Sequence, residues 1–166
     1  MQNEAIAQLA ATPGALAHLV AEAGDAVLDA AAPGQWSART LLAHFRDDEY
    51  LCMRVALERM LAEESPMLRF VDGAAWEPKR RRSRDRKEWL LGDFALQRQA
   101  SIAILRGLDE VDWERAGQSA EQGVFTIASF VDGWAHHDAE HIASLESVLG
   151  ETLTDVMARR ARPNGP

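Results

Sequence analysis

The sequence holds a single cysteine, Cys52, and no apolar run approaching the ~20 residues that span a bilayer. An internal disulfide framework is therefore impossible, and a membrane-spanning helix is not expected. β-Branched residues are scarce beside alanine and leucine, which favours helix over sheet. The opening MQNEAIAQLAATPG lacks a basic stretch followed by an apolar core, so no signal peptide is expected and the expected location is cytoplasmic. No internal repeat and no long low-complexity segment is present. Positive charge is also short: 18 Lys and Arg stand against 26 Asp and Glu, a formal net charge of -8. That balance argues against general nucleic-acid or membrane binding.

What remains is a chain of 166 residues, 47% of them hydrophobic, enough for one domain with a real core. Residues 1–154 are expected to form that domain, and residues 155–166, ending RRARPNGP, a disordered tail. Periodicity and end signals predict four helices. The first spans Pro13 to Ala31, capped by Thr12, with a stripe of Leu16, Leu19, Val20, Ala23 and Val27. Residues before Thr12 add a turn or two, and Pro33-Gly34 closes the unit. The second spans Ser37 to Glu64, with Ser37 as N-cap and Trp36 and Leu41 at staple positions. Its apolar face is Leu41, Phe45, Cys52, Val55 and Ala56. The third spans Asp85 to Arg106, with Asp85 and Glu88 spaced as a capping box and Leu90, Phe94, Ile102 and Leu105 on one face. The fourth spans Thr126 to Leu149, capped by Thr126 and stopped by Gly150, with Phe130, Trp134, Leu145 and Val148 inward. Such helices bury their faces best as an all-α four-helix bundle. The long connection over 65–84 carries Trp76 and is expected to cover one end of it.

His137 and His141 stand four residues apart on the apolar stripe of the fourth helix, one above the other. Imidazoles on a buried stripe need partners. Hydrogen bonds within the core are one answer. A divalent metal is the other, since neutral imidazole suits zinc, nickel, copper or iron. His44, beside Leu41 and Phe45, is the best third ligand. Three histidines leave positions open for water or substrate, as catalytic sites do. His18 reads as surface, and His136 is turned away from the pair. The zincin motif H-E-x-x-H is excluded because Asp138 follows His137. A di-iron bundle needs two Glu-x-x-His motifs, and only Asp138-x-x-His141 has that spacing.

Thr12-Pro13, then Pro33-Gly34-Gln35-Trp36-Ser37, then Leu42 through Glu49 around His44 form the first part of an ordered set. Phe94 with Arg98, Gly123 to Ser129, and His137-Asp138-Ala139-Glu140-His141 complete it. Over about residues 10–150 this set resembles the DinB-like family, the DinB/YfiT-like metalloenzymes. The resemblance implies a bundle of up-down-down-up topology, often a homodimer. It also implies a three-histidine site matching His44, His137 and His141, for nickel or zinc first and iron or manganese next. Similar proteins include metal-dependent transferases and isomerases that use low-molecular-weight thiols such as bacillithiol or mycothiol.

The expectation is a metal-dependent enzyme that moves such a thiol onto a small-molecule electrophile, or performs a related hydrolysis. Asp48, Arg98 and Glu140 are candidate catalytic groups. Asp48 follows His44 by four residues and is either a base or a solvated carboxylate in the run Asp47-Asp48-Glu49. Arg98 interrupts an apolar face, to bind a substrate carboxylate, to pair with Asp48, or to reach solvent. Glu140 is a possible proton carrier. Cys52 reads as packing. The alternatives are a non-catalytic metal-binding or stress-response protein, and nucleic-acid binding through the basic stretch Lys79–Lys87. That stretch lacks interleaved aromatics and reads first as a solvated loop.

Overall fold

The computed structural model describes residues 2–80 and 85–161. Helix α1 (Gln2–Leu19) is followed by a short α2 (Asp25–Leu28). Helix α3 (Ala38–Asp48) passes through a π-helical turn, Glu49–Met53, into α4 (Arg54–Ala62). The connection beyond it holds α5 (Gly73–Trp76) and a 3-10 turn, Glu77–Lys79. Helix α6 (Lys87–Arg106), the short α7 (Glu110–Trp113) and an antiparallel hairpin of β1 (Ala116–Ser119) and β2 (Gly123–Thr126) lead to α8 (Ile127–Ala161).

Two apolar clusters set the directions of the four long rods. One joins Leu9 of α1 with Leu57 of α4, Leu105 near the end of α6 and Val131 near the start of α8. The other joins Leu16 at the end of α1 with Leu41 of α3, Leu90 at the start of α6 and Leu145 far along α8. Rods α1 and α8 therefore run from the first cluster to the second, and α3–α4 and α6 run back. This is the expected four-helix bundle in up-down-down-up order. Two successive descending rods need a return between them, which is why the chain from 63 to 86 is long. Among the described residues no helix is long and apolar enough to cross a membrane.

Several element ends differ from expectation, each for a physical reason. Helix α1 begins at Gln2, so Thr12 is not its cap and Pro13 lies inside it. Proline has no N–H for the carbonyl four residues back, that of Leu9. Arg98 Nη1 donates to that freed oxygen at 2.9 Å, so the proline is tolerated. The helix also ends at Leu19, and α2 is separate rather than a continuation to Ala31. Ser37 does cap α3, its Oγ accepting from Thr40 N at 3.1 Å. The π turn closes with Arg54 N–H donating to Glu49 O, an extra residue in the turn. It rotates the faces of α4, so Val55 is 40% exposed instead of core, while Ala56, Leu57 and Met60 face inward.

The expected capping box at α6 does not form. Its N-cap is Arg86, and Asp85 is buried in ion pairs with Arg80 and Arg46. Lys87, in the basic stretch, donates from Nζ to the carbonyls of Val20, Ala21 and Ala23, capping the chain that leaves α1. Arg81, Arg82, Ser83 and Arg84, the centre of that stretch, lie outside the described residues. At α8, Thr126 and Ser129 cap reciprocally, with Ser129 N donating to Thr126 Oγ1 at 3.2 Å. Gly150 does not stop the helix, whose backbone continues to Ala161 into the stretch expected as a tail; residues 162–166 lie outside the described residues. The hairpin was not expected. Gly117 is needed there, because a Cβ would meet Leu68 Cδ1 at 2.9 Å and Met60 Cγ at 3.0 Å.

Candidate metal centre

Helices α3 and α8 pack side by side and bring three histidines to one point. His44 Nε2 lies 3.2 Å from His137 Nε2, and one ring nitrogen from each of His44, His137 and His141 falls within 4.8 Å of the others. The His137 and His141 rings are 4.4 Å apart between centroids, as the four-residue spacing on α8 dictates. The cluster forms one end of a cavity of roughly 600 Å³. Trp36 stacks on His141 with centroids 6.4 Å apart, and Trp76 meets His44 edge-on at 5.8 Å. Gly73 makes room for that wall, since a Cβ there would lie 2.7 Å from Trp36 Cη2. The return connection, with Gly73 and Trp76, thus closes one side of the site.

Burial pushes the His44 pKa down to about 3, helped by His141 and His137. Burial, then His137, pushes His141 down to about 4. Both rings are neutral at physiological pH, the form a metal ion takes as ligand. Asp48 also lines the cavity, with Oδ2 3.5 Å from His137 Nε2, and burial holds its pKa above the usual carboxylate range. The buried His137 Nδ1 has no hydrogen-bond partner and lies 3.5 Å from Asp138 Oδ1. With metal–nitrogen bonds of about 2.0–2.1 Å, tetrahedral ligand nitrogens sit about 3.3 Å apart. The His44–His137 pair is already at that spacing, and the widest pair must close onto the ion. Three imidazole nitrogens, one carboxyl group and an open cavity side therefore fit a divalent metal.

Behind the cluster lies a second polar group that sequence reasoning largely missed. Arg98 donates to Glu49 Oε2 at 2.9 Å, to Asp138 Oδ2 at 2.5 Å and to Asp138 Oδ1 at 3.2 Å. Thr12 Oγ1 donates to Asp138 Oδ2 at 2.7 Å, and Ser101 Oγ to Glu49 Oε1 at 2.6 Å. The guanidinium also sits against the Phe94 and Trp134 rings. Burial alone would raise Asp138, but His137, Arg98 and Thr12 outweigh it and hold its pKa below the usual range. Burial raises Glu49, against the pull of Arg98 and Ser101. A signal was present in the sequence. Glu49 stands four residues after Phe45 and Asp138 four after Trp134, both on apolar stripes that an inward arginine would seek.

The candidate residues thus separate. His44, His137, His141 and Asp48 meet at the cavity. Arg98 is buried behind it, paired with Glu49 and Asp138 rather than Asp48, and reaches neither solvent nor the cavity lining. The Glu140 side chain is 67% exposed and faces His136 at 3.3 Å on the outer surface of α8, because one residue before His141 is a turn of about 100°. A proton-carrying role for Glu140 is therefore corrected. Cys52 is buried, its Sγ accepts from Val71 N at 3.2 Å, and burial pushes its pKa up to about 12, so it packs rather than reacts.

An up-down-down-up bundle with three histidines at a cavity defines a class of helical-bundle proteins with a candidate metal site. The sequence matches the DinB superfamily over residues 8–145, and the chain belongs to that superfamily. Its structure is similar to that of YfiT from Bacillus subtilis, described as a probable metal-dependent hydrolase with an unusual four-helix bundle topology. The two share 22% sequence identity with a TM-score of 0.79, over 89% of this chain and 85% of that one. That likeness establishes the fold. No curated protein matches the sequence.

Proposed function

We propose that this is a metal-dependent enzyme in which His44, His137 and His141 hold a divalent ion, with nickel or zinc the choice that the family resemblance favours. The observation that carries the reading is the convergence of three imidazoles beside the Asp48 carboxylate at one end of a cavity. A bound ion supplies Lewis acidity and makes a small nucleophile available at neutral pH. The chain's own groups do the rest. Asp48 accepts the proton of the nucleophile, and its raised pKa makes it a stronger base than a solvated carboxylate. The walls hold a small-molecule substrate and keep bulk water away from the reacting end.

Two nucleophiles are open, water for hydrolysis and a low-molecular-weight thiol for transfer to an electrophile. The thiol is supported by the family resemblance alone. Hydrolysis is favoured because no lysine or arginine is among the described cavity-lining residues, so beyond the ion itself an anionic thiol has no side-chain counter-charge there. All four polar groups of the site come from one chain, so a homodimer, part of the same reading, is not needed to complete it.

The test is an assay of zinc- and nickel-loaded protein against uncharged esters and amides, and against thiol–electrophile pairs. Turnover of the first set, lost with the His137→Ala/His141→Ala pair, is expected. Asp48→Asn should retain metal and lose about a hundredfold in kcat. Undiminished turnover in the histidine pair variant would contradict the reading.

A further inference from the structure

Four residues of α8 spaced by four, Ser129, Gly133, His137 and His141, all line the cavity. Gly133 is the gap in that stripe, one turn before His137. Glycine is among the poorest residues for a helix interior, yet nothing in the packing demands it here. A Cβ built on Gly133 meets no atom within 4 Å. Gly14, Gly92 and Gly150 are equally unhindered, but none of them lines the cavity. At Gly133 the missing side chain leaves space between the histidine cluster and an aromatic wall.

That wall is continuous. Phe70, Phe125 and Phe130 lie 6.1–6.4 Å apart between ring centroids, and Phe130 meets Trp134 at 5.8 Å. Three different parts of the chain build it: the return connection, strand β2 and helix α8. Gln122, in the hairpin turn, is one of the few uncharged polar side chains in the lining. Among the described lining residues the ionisable groups are the three histidines and Asp48, so the chamber carries no cationic side chain of lysine or arginine type.

We infer that the space over Gly133 is the substrate chamber and that it selects an uncharged, flat apolar group, of the size of an aromatic acyl or aryl moiety. A carboxylate or phosphate on that group would meet aromatic faces and Asp48, with no positive partner to replace its water. Gly133 is then the specificity-determining position: any side chain there occupies the volume next to His137. The inference rests on the metal-enzyme reading only for which end of the bound molecule reacts.

The experiment measures binding of naphthamide and of naphthoate to chelator-treated, metal-free protein at neutral pH, by calorimetry and by ligand-observed NMR. The wild type, Gly133→Ala and Gly133→Leu are compared. The amide should bind the wild type and the carboxylate at least about tenfold more weakly. Gly133→Leu should lose the amide by about tenfold or more, Gly133→Ala by less, the scale on which a few methylenes in a pocket are felt. Neither substitution should lower the melting temperature, since both improve on glycine in a helix. Binding is read in metal-free protein, so a failure of the metal reading leaves this result standing. Equal amide binding by the wild type and Gly133→Leu, equal binding of amide and carboxylate, or no binding of either by the wild type would each overturn the inference.

Discussion

His137 and Asp138 are neighbours in sequence and belong to two different polar regions. Asp138 is part of a closed region. Arg98, Glu49, Thr12 and Ser101 give and take hydrogen bonds until every charge has a partner, and Asp138 is not among the described residues that line the histidine cavity. His137 belongs to an open region. Its Nε2 faces another histidine nitrogen and a carboxylate, its Nδ1 has no hydrogen-bond partner, and a cavity lies alongside. A buried polar group that is fully satisfied holds the fold together; one that is left incomplete asks for something from outside. The closed region carries the bundle's geometry, and the open region carries the candidate site. Asp138 joins them, since its carboxylate is locked by Arg98 on one side and stands 3.5 Å from His137 on the other. It is placed to orient the ring that a metal ion would bind.

Substitutions in the two regions should therefore have unlike consequences. The largest effect should come from Arg98→Ala, which leaves two carboxylates buried without their cation. A loss of about 3–5 kcal/mol in urea unfolding is expected. His137→Ala in metal-free protein should cost far less, because the ring has few partners to lose. A smaller effect comes from pH. Unfolded histidine titrates near 6.5, whereas His44 and His141 in the folded chain are held down at about 3 and about 4. Below pH 6.5 the unfolded state binds more protons, so these groups' contribution to the stability of metal-free protein is complete above that value. It is lost as pH falls toward about 4 and then about 3. Asp48 and Glu49, whose pKa values are raised, act in the opposite sense. The histidine share is isolated as the part of the slope that disappears in His44→Gln/His141→Gln, read by denaturant titration at each pH.

Thr12→Val removes one hydrogen bond to a buried carboxylate and should destabilise by about 1–2 kcal/mol, with metal content unchanged. The smallest effect belongs to Glu140→Ala. On the outer face of α8 it should change stability by less than about 0.5 kcal/mol and leave metal content as it was.

The bundle was legible because its apolar residues recur at helical spacing, and because Ser37 and Thr126 are capping residues used as caps. The histidine cluster was legible for the same reason: His137 and His141 sit on a stripe that must be buried, and His44 on another. What escaped was long-range. Pro13 looks like a helix start in isolation, and only Arg98 reaching Leu9 O makes it tolerable within a helix. Asp85 has the spacing of a cap, but Arg46 claims it from α3, together with Arg80 five residues before it. Asp47, Asp48 and Glu49 read as one acidic run, yet the π turn sends Glu49 to Arg98 and Asp48 to the cavity. The strand sequence Ala116–Ser119 has no β-branched residue, so the hairpin that supplies Gln122 and Phe125 to the cavity leaves almost no local signal.

The three-histidine site is tested most simply by the metal content of untagged protein after exposure to zinc or nickel and removal of excess ion. Elemental mass spectrometry would be run beside the His44→Ala/His137→Ala/His141→Ala variant, with circular dichroism on both. About one ion per chain, absent from a variant that keeps its helicity, is the result a metal centre requires. Equal metal in both, or none in either with the fold intact, would contradict it.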